Sequence, residues 1–456
     1  MPTTGVDGAE QSSLAKTAGC LERIAALDPT LHAFITVTSG TAIEAARKAD
    51  AMAAEGKSLG LLHGMPLAVK DCIDVEGVRC TRGSAFFADH MPAQDAVVVG
   101  RLKAAGAVLI GKTNLHEFAF GGTSQNAFYG GCRNPWDISR IPGGSSGGSA
   151  VAVAAGLAAG ALGTDTGSSI RMPAALCGVS GLRPTHGMVS SEGVFPVSPT
   201  LDTVGPIAGS VADLARILAA IVDVDAAEAN GVRPGDFLGN LEAPIDGLRI
   251  AVPDDFFFSE AESDVANAVL TAAKALERLG ARLVTASIPG AADVQSHQMP
   301  LLIADAARLH RDRLASAPEK FSDGVRRRLQ PGLDMTDADY ARSQRWLADW
   351  RRRASAFFED SADVMLTPSV PTTAPLVDDQ NLAEVTRLLS LFSWTWPAAG
   401  SPALTVPCGF SSGLPIGMQL AAGRWRDARL LNVAHRYQQA TDWHLREPAI
   451  SPMSVS

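Results

Sequence analysis

Three short stretches contain residue types that could carry out nucleophilic catalysis. Residues 141–150 read IPGGSSGGSA, residues 164–171 read TDTGSSIR, and the apolar run GMPLAV ends at Lys70. A serine hydroxyl attacks a carbonyl group effectively only when a neighbouring base takes its proton. A lysine held away from water loses its own proton more easily and can act as that base. Lys70 has a second interpretation, because Asp71 and Asp74 could simply pair with it as a charge at the end of a strand.

The composition of the segment between the two serine loops indicates that neither loop is a flexible linker. Residues 150–163 read AVAVAAGLAAGALG, which is too apolar to be exposed to water and too short and glycine-rich to span a bilayer. We interpret this segment as a buried helix. Both flanking loops must then be held tightly against the core.

Other motifs are misleading. GAVLIGKT, residues 106–113, has the spacing of a phosphate-binding loop, but residues 107–110 are themselves expected to be a strand. GGSSG and GSSGG match the nucleophile elbow of α/β-hydrolases, yet the preceding RNPWDISRIP is not a strand. None of the nine histidines occurs at a metal-ligand spacing. The sequence therefore predicts neither a nucleotide site nor a metal site.

Helical and strand patterns alternate along the chain. Residues 41–56 predict an amphipathic helix that opens with Thr41 and Glu44 as a capping box. Residues 95–113 predict a helix, a stop at Gly106 and a strand, and residues 247–286 predict a strand, a helix and a strand. This alternation indicates an α/β fold, with helices on both faces of a sheet. From about 290 to 358 the pattern changes to long polar helices, interpreted as a solvated cover over the sheet.

Composition restricts the classes of function. The 456-residue chain has a net charge of -9 and 19% charged residues, which offers no basic surface for nucleic acid. Its six scattered cysteines form no CxxC pair, which favours reduced thiols in a cytoplasmic protein. The N-terminal MPTTGVDGAEQSSLAK has neither a basic start nor an apolar run, so we expect no export signal and no membrane anchor.

Several motifs, taken in order, resemble those of the amidase signature hydrolases. They are GMPLAVKD, GKTNLHEFAFG, NPWD with PGGSSGGSA, GTDTGSSIRMPAALCGVSGLRPT, LDTVGPIA, and SPALTVPCGF with GLPIGMQL. The resemblance is strong over about residues 60–215 and 396–435 and loose between them. It implies one amidase-signature domain over residues 1–456, built on a large twisted mixed β-sheet with helices on both faces. The variable segment, about 225–395, would cover the substrate and determine specificity.

The resemblance also implies roles for individual residues. Lys70 would be the general base, Ser145 a bridging serine that follows a cis peptide, and Ser169 the nucleophile. The remaining implied positions are the oxyanion-hole amides of Thr166, Gly167, Ser168 and Ser169, the supporting residues Asp165, Arg171 and Gly144, and the acyl-pocket residues Phe120 and Gly121. Asp165 and Arg171 are expected to pair across the nucleophile turn, and Phe120 could equally be a core residue.

One position departs from the pattern of the family. Ser168 stands where the family usually has a second glycine before the nucleophile. If that position needs a positive φ, the serine would be strained and the oxyanion hole altered. Ser168 also offers a second hydroxyl, although the spacing favours Ser169 as the one that attacks.

Three functions remain open at this point. The first is a cofactor-free hydrolase that cleaves an amide-type C–N bond of a small molecule through a seryl acyl-enzyme, with carbamates, anilides or esters as variants. The alternative is the A subunit of a glutamyl-tRNA(Gln) amidotransferase, which releases ammonia from glutamine for a partner. The third is a binding protein that keeps the fold without the activity. The expected partner is a small amide or carbamate substrate, and a homodimer is one candidate assembly.

Overall fold

The computed structural model describes residues 12–378 and 381–451. The first eleven residues, on which most of the N-terminal prediction rests, lie outside this range, as do both ends of the predicted 1–456 domain. The helices are α1 (Ser13–Leu31), α2 (Ser39–Ala54), α3 (Val97–Ala104), α4 (Gly147–Ala154), α5 (Arg171–Cys177), α6 (Val211–Ile221), α7 (Val224–Glu228), α8 (Asp236–Gly239), α9 (Phe256–Ser259), α10 (Ser263–Arg278), α11 (Val294–Ser316), α12 (Asp323–Leu333), α13 (Asp337–Asp360), α14 (Leu382–Leu389), α15 (Thr395–Ala399) and α16 (Asp427–Gln439).

One mixed sheet organises the described part of the chain. Its eleven strands have the order β1-β3-β2-β6-β8-β7-β12-β13-β11-β9-β10. Strands β2, β3 and β6 run parallel to one another, whereas β8, β7, β12 and β13 pair antiparallel. The strands are β1 (Phe34–Val37), β2 (Pro66–Lys70), β3 (Val108–Thr113), β4 (Gln125–Asn126), β5 (Gly130–Gly131), β6 (Gly160–Asp165), β7 (Ser180–Arg183), β8 (Thr203–Ala208), β9 (Arg249–Ala251), β10 (Arg282–Val284), β11 (Val364–Pro368), β12 (Ala403–Ser411) and β13 (Leu414–Ala421), with β4 and β5 forming a separate hairpin.

Helices pack on both faces of this sheet, because the apolar side chains of its strands alternate between the two faces. Leu67 and Val69 of β2 belong to one core together with residues of α3 and α6, whereas Ala68 belongs to a second core with residues of α1, α2 and α4. Successive side chains of a strand point to opposite faces, so Lys70 shares the face of Ala68. The predicted α/β class with a large mixed sheet and flanking helices is confirmed.

Two local predictions are wrong. The segment predicted as one buried helix over residues 150–163 is split, because α4 ends at Ala154 and β6 begins at Gly160. Gly156 adopts a φ of 66° between them, and small apolar residues carry no periodicity that separates a buried helix from a buried strand. The predicted Thr41–Glu44 capping box does not form, because α2 already begins at Ser39 and the Thr41 hydroxyl donates to a backbone carbonyl.

Other elements follow the predictions. Helix α3, Gly106 with a φ of 89° and β3 occur in the expected order, and β3 contains most of GAVLIGKT as a strand. The unit β9–α10–β10 also forms as predicted. Helices α11, α12 and α13 form the long polar segment, which we call the helical cover. In the described ranges, no helix combines the length and apolar character needed to cross a membrane.

Candidate active site

Lys70 lies at the carboxyl end of β2 and is completely buried. Its Nζ is 2.7 Å from Ser145 Oγ and 2.7 Å from Thr164 Oγ1. Burial lowers the pKa of the lysine from 10.5 to about 8, although the charges of Cys72, Asp165 and Asp202 oppose this shift. Hydroxyl partners cannot neutralise an ammonium group, so a fraction of the amine is uncharged near neutral pH, far more than for an exposed lysine.

The first serine loop is held by its neighbours rather than by regular structure. The Gly144–Ser145 peptide is cis, and a Cβ at Gly144 would lie 2.7 Å from Ser124 Oγ. The Ser145 carbonyl accepts hydrogen bonds from the amide of His116 and the hydroxyl of Ser124, at 3.2 Å and 3.3 Å. These contacts direct the Ser145 hydroxyl towards Lys70.

The second serine loop touches the first. The amide of Ser146 donates to the carbonyl of Ser169 at 3.1 Å, which places the two loops side by side. Ser169 is only partly buried, unlike Ser145. A hydrogen bond joins Lys70 to Ser145. Within the described residues, no hydrogen bond joins the hydroxyls of Ser145 and Ser169.

The turn from Thr166 to Ser169 has unused backbone donors. Gly167 and Ser168 accept hydrogen bonds at their carbonyls from Arg171 and Met172, but the structure shows no acceptor for the amides of Gly167, Ser168 and Ser169 in the described chain. Free amides that face a pocket can stabilise negative charge on a substrate oxygen.

Asp165 and Arg171 lie together beneath this turn. Both are completely buried, and Arg171 donates from Nε and Nη2 to the two oxygens of Asp165 at 3.0 Å each. Burial alone would raise the pKa of Asp165, but Arg171 and Arg183 outweigh it and hold that pKa below its ordinary value. Arg171 is therefore occupied by Asp165, Gly167 and Gln419 rather than free for substrate.

Ser168 is not strained. Neither Ser168 nor Gly167 has a positive φ, so the backbone at this position does not require a glycine. A Cβ at Gly167, in contrast, would lie 2.5 Å from the Trp394 ring. The departure at Ser168 therefore adds a hydroxyl to the pocket wall without the distortion that a positive φ would have caused.

A narrow pocket of about 40 Å³ opens in front of the turn. Phe120 is almost fully buried and lines it, so this residue is both part of the core and part of the pocket. A Cβ at Gly121 would lie 2.2 Å from the His116 ring, which explains the glycine. The pocket is lined by Ala119, Phe120, Gly121, Gly122, Thr166, Gly167, Ser168, Ser169, Val197, Leu302, Arg328, Thr386 and Trp394.

His116 is not an alternative candidate for the predicted base, Lys70. Burial, together with the charges of Arg328 and Lys70, lowers the pKa of this histidine to about 3. Its imidazole stays neutral at working pH, with Nδ1 3.3 Å from Thr123 Oγ1. No group of acidic, cysteine and histidine side chains suited to a metal occurs among residues 12–378 and 381–451.

Sequence reasoning missed three residues of this site. Thr164 contacts Lys70, Asp202 accepts a hydrogen bond from Thr166, and Arg328 of α12 reaches the pocket. Thr164 and Asp202 lie within the motifs GTDTGSSIR and LDTVGPIA, which could have drawn attention to them. Arg328 lies in the variable segment, among other arginines, where no signal in a single sequence distinguishes it.

Comparison with known proteins agrees with this geometry. The sequence model of the Amidase family matches residues 15–431. The chain is 38% identical to the A subunit of glutamyl-tRNA(Gln) amidotransferase from Marinomonas sp. (strain MWYL1), with 96% of each protein covered. A solved structure of the corresponding Thermotoga maritima protein has a TM-score of 0.75 and 33% identity, over 93% of this chain and 91% of that one.

A second solved structure has a more similar backbone. It comes from work on a vestigial protein complex and the origins of an s-triazine catabolic enzyme, with a TM-score of 0.87, 34% identity and 97% of each chain covered. The family match and the relatives of similar length show that this chain belongs to the amidase family and is a hydrolase of carbon–nitrogen bonds.

Proposed function

We propose that this hydrolase cleaves a carboxamide through an acyl-enzyme on Ser169. Neutral Lys70 draws a proton from Ser145, which draws one from Ser169 as Ser169 Oγ bonds to the carbonyl carbon. The amides of the turn stabilise the oxyanion. The relay then runs backwards and protonates the departing nitrogen, which leaves as an amine or ammonia. Water, activated by the same relay, releases the acid and restores Ser169.

The observation that carries this proposal is the environment of Lys70. A completely buried amine, within hydrogen-bond distance of two hydroxyls, has its pKa lowered to about 8 and can act as a base. Its partner Ser145 belongs to the loop that contacts Ser169. The hydroxyls of Ser145 and Ser169 must approach each other when substrate binds, since active-site hydrogen bonds often tighten only in the complex.

Arg328 supports an anionic substrate. Its guanidinium lies 4.5 Å from the centre of the Phe120 ring and donates to the Phe120 carbonyl at 2.7 Å. Burial lowers the pKa of Arg328 to about 10, and no carboxylate pairs with it in the described chain. A substrate carboxylate in this pocket would therefore meet a cation whose charge is not already neutralised.

Glutamine is the leading candidate substrate, with the chain acting as the A subunit of an amidotransferase. Relatives of that name match nearly the whole chain at 37–40% identity. Glutamine also combines a carboxamide with a carboxylate. The comparisons thus favour this alternative over the free-standing hydrolase that we placed first on sequence grounds.

A free-standing hydrolase of anionic amides is the second candidate. The pocket lining contains Arg328 but, among the described residues, no aspartate or glutamate that would bind the ammonium group of an amino acid. A dicarboxylic acid monoamide, which carries an anion without a neighbouring ammonium group, represents this class.

A substrate panel tests both candidates. Glutamine, a dicarboxylic acid monoamide, a neutral primary amide, an anilide and a carbamate are each incubated with the protein, and ammonia or amine release is measured separately. We expect Ser169→Ala to lose at least about 1,000-fold in kcat, as loss of a nucleophile typically does, and to lose labelling by a fluorophosphonate. Unchanged labelling in this variant would refute the assignment of Ser169.

Arg328→Met tests the anionic substrate. We expect its kcat/KM to fall about 30- to 100-fold for the anionic amide, because a charge-assisted hydrogen bond of about 2 to 3 kcal/mol is lost. The neutral amide serves as the internal control, and its kcat/KM should change little. Equal losses for both substrates would contradict the proposed contact.

A further inference from the structure

A second cavity lies behind the proposed base. It has a volume of about 230 Å³, and its walls include Thr164, Thr166, Phe195, Val197 and Asp202. Thr164 Oγ1 is the second hydrogen-bond partner of Lys70 Nζ, so one residue of the cavity wall contacts the proposed base directly. Val197 and Thr166 also line the substrate pocket, so they separate the two spaces.

Asp202 is the acidic group of this cavity. Its Oδ1 accepts a hydrogen bond from the Thr166 hydroxyl at 2.6 Å, and its Oδ2 accepts from the amides of Val197 and Ser198 at 2.9 Å and 3.0 Å. The carboxylate thus ties the first residue of the oxyanion turn to the loop that precedes β8. Asp202 is half-buried and lines the cavity.

We propose that Asp202 is a positioning residue of the hydrolase, which holds Thr166 and the oxyanion turn in place and contributes negative charge to the surroundings of Lys70. The inference rests on the proposed function. It assigns a role outside the Lys70–Ser145–Ser169 relay, because Asp202 touches neither the substrate pocket nor the attacking hydroxyl.

The electrostatics of the site support this role. Burial raises the pKa of Asp202 to about 6 against the effect of its hydrogen bonds, so the group is still anionic where Lys70 titrates. The anion acts on Lys70 together with Cys72 and Asp165. Asp165 forms ion pairs with Arg171 and Arg183, so its charge is already neutralised. The charge of Asp202 is less fully balanced by neighbouring cations. In the described chain, the charged or titratable groups around these two residues include Asp71 and Cys72 after β2, Lys112 on β3, His116 after β3, Asp165 on β6, Arg171 on α5, Arg183 on β7 and Asp305 on α11, which accepts a hydrogen bond from Ser198.

Asp202→Asn tests the charge while it preserves the shape. The amide can still accept from the backbone donors, and the Thr166 hydroxyl can reverse its hydrogen bond. Without the anion the ammonium form of Lys70 is less stable, so the acidic limb of kcat/KM should move to lower pH. The expected shift is up to about one unit, because Asp202 is not in contact with Lys70 as it would be in an ion pair.

Thr166→Val tests the positioning. It removes the hydroxyl that Asp202 holds but leaves the carboxylate, so kcat should fall about tenfold at every pH while KM changes less than about threefold. The acidic limb should stay where it is in the unmodified protein. A lower kcat with a nearly unchanged KM and an unmoved acidic limb would not result from a general loss of stability, which thermal unfolding measures separately.

Asp427→Asn is the matched control. Asp427 is buried, its pKa is raised to about 6 by burial, and it also accepts hydrogen bonds from a threonine hydroxyl and a backbone amide. It does not act on Lys70, so its variant should keep the acidic limb unchanged. An unmoved limb in Asp202→Asn or an unchanged kcat in Thr166→Val would overturn the assignment. Failure of the unmodified protein on every amide, together with no labelling of Ser169 by a fluorophosphonate, would instead refute the proposed function.

Discussion

Lys70 is the residue whose protonation state should govern activity. Its completely buried amine has a pKa lowered from 10.5 to about 8, so roughly one molecule in ten holds the neutral form at pH 7. The reaction requires the neutral amine, because only that form can accept a proton. We therefore expect kcat/KM to rise with pH, to reach half of its maximum at about pH 8 and to level off about one unit above, measured with an uncharged amide so that the substrate does not titrate.

The same measurement on a lysine variant identifies the group responsible. Lys70→Met should lose at least about 1,000-fold in kcat and show no limb near pH 8 in any residual activity. A limb near pH 10 in the unmodified protein would contradict the lowered pKa. A limb that persists in the variant would assign the titration to another group.

The role of a residue can be predicted from the sequence when the signal for it lies close by in the chain. Lys70 could be predicted as a strand-end amine from a single apolar run, and the two serine loops from their composition. Arg328 could not, because it reaches Phe120 from 208 positions away and nothing near it in sequence indicates a pocket. Asp202 lies only 36 positions from Thr166, yet its role depends on a cavity that forms only after folding.

The element that matters most for catalysis is the turn between β6 and α5. Gly167→Ala should distort it, because the new Cβ would lie 2.5 Å from the buried Trp394 ring, which cannot move aside easily. The unpaired amides of the turn would shift with the backbone. We expect kcat to fall about 10- to 100-fold, with a much smaller change in the midpoint of thermal unfolding.

Gly100→Ala provides the matched control for this turn. Gly100 lies within α3, and a Cβ there meets nothing within 4 Å. Its variant should keep normal kcat and gain slightly in stability, since alanine favours a helix over glycine by about 1 kcal/mol. Equal kcat values for the two glycine variants would show that the oxyanion turn tolerates displacement.

The elements themselves were predictable where periodicity is strong. Helix α10 alternates buried and exposed residues with a helical period, and its neighbours β9 and β10 formed as expected. The α4–β6 segment was misread because alanine and glycine fit both a buried helix and a buried strand. Its division at Gly156 depends on packing against the rest of the sheet, which single-sequence patterns do not contain.

At the scale of the whole molecule, several contacts join the helical cover to the rest of the molecule near the pocket, and two of them involve α12 or the residue before it. Arg328 donates to the Phe120 carbonyl, and the buried Glu117 accepts from the amide and hydroxyl of Ser322 at 2.9 Å and 2.5 Å. Ser322 immediately precedes α12, the helix that holds Arg328. The position of the proposed substrate contact therefore depends on a carboxylate from the other side of the pocket.

Glu117→Ala should weaken substrate binding more than chemistry, because it releases the start of α12 without touching Lys70 or the serine loops. Loss of the charged hydrogen bonds, worth about 1.5 to 3 kcal/mol, should raise KM for an anionic amide at least about tenfold and change kcat less than about threefold. Hydrogen exchange should quicken at the start of α12 and not in α5. Glu319→Ala, at an exposed position just before this helix, should leave KM and exchange unchanged. A Glu117 variant with normal KM and faster exchange would show that Arg328 finds the substrate without this anchor.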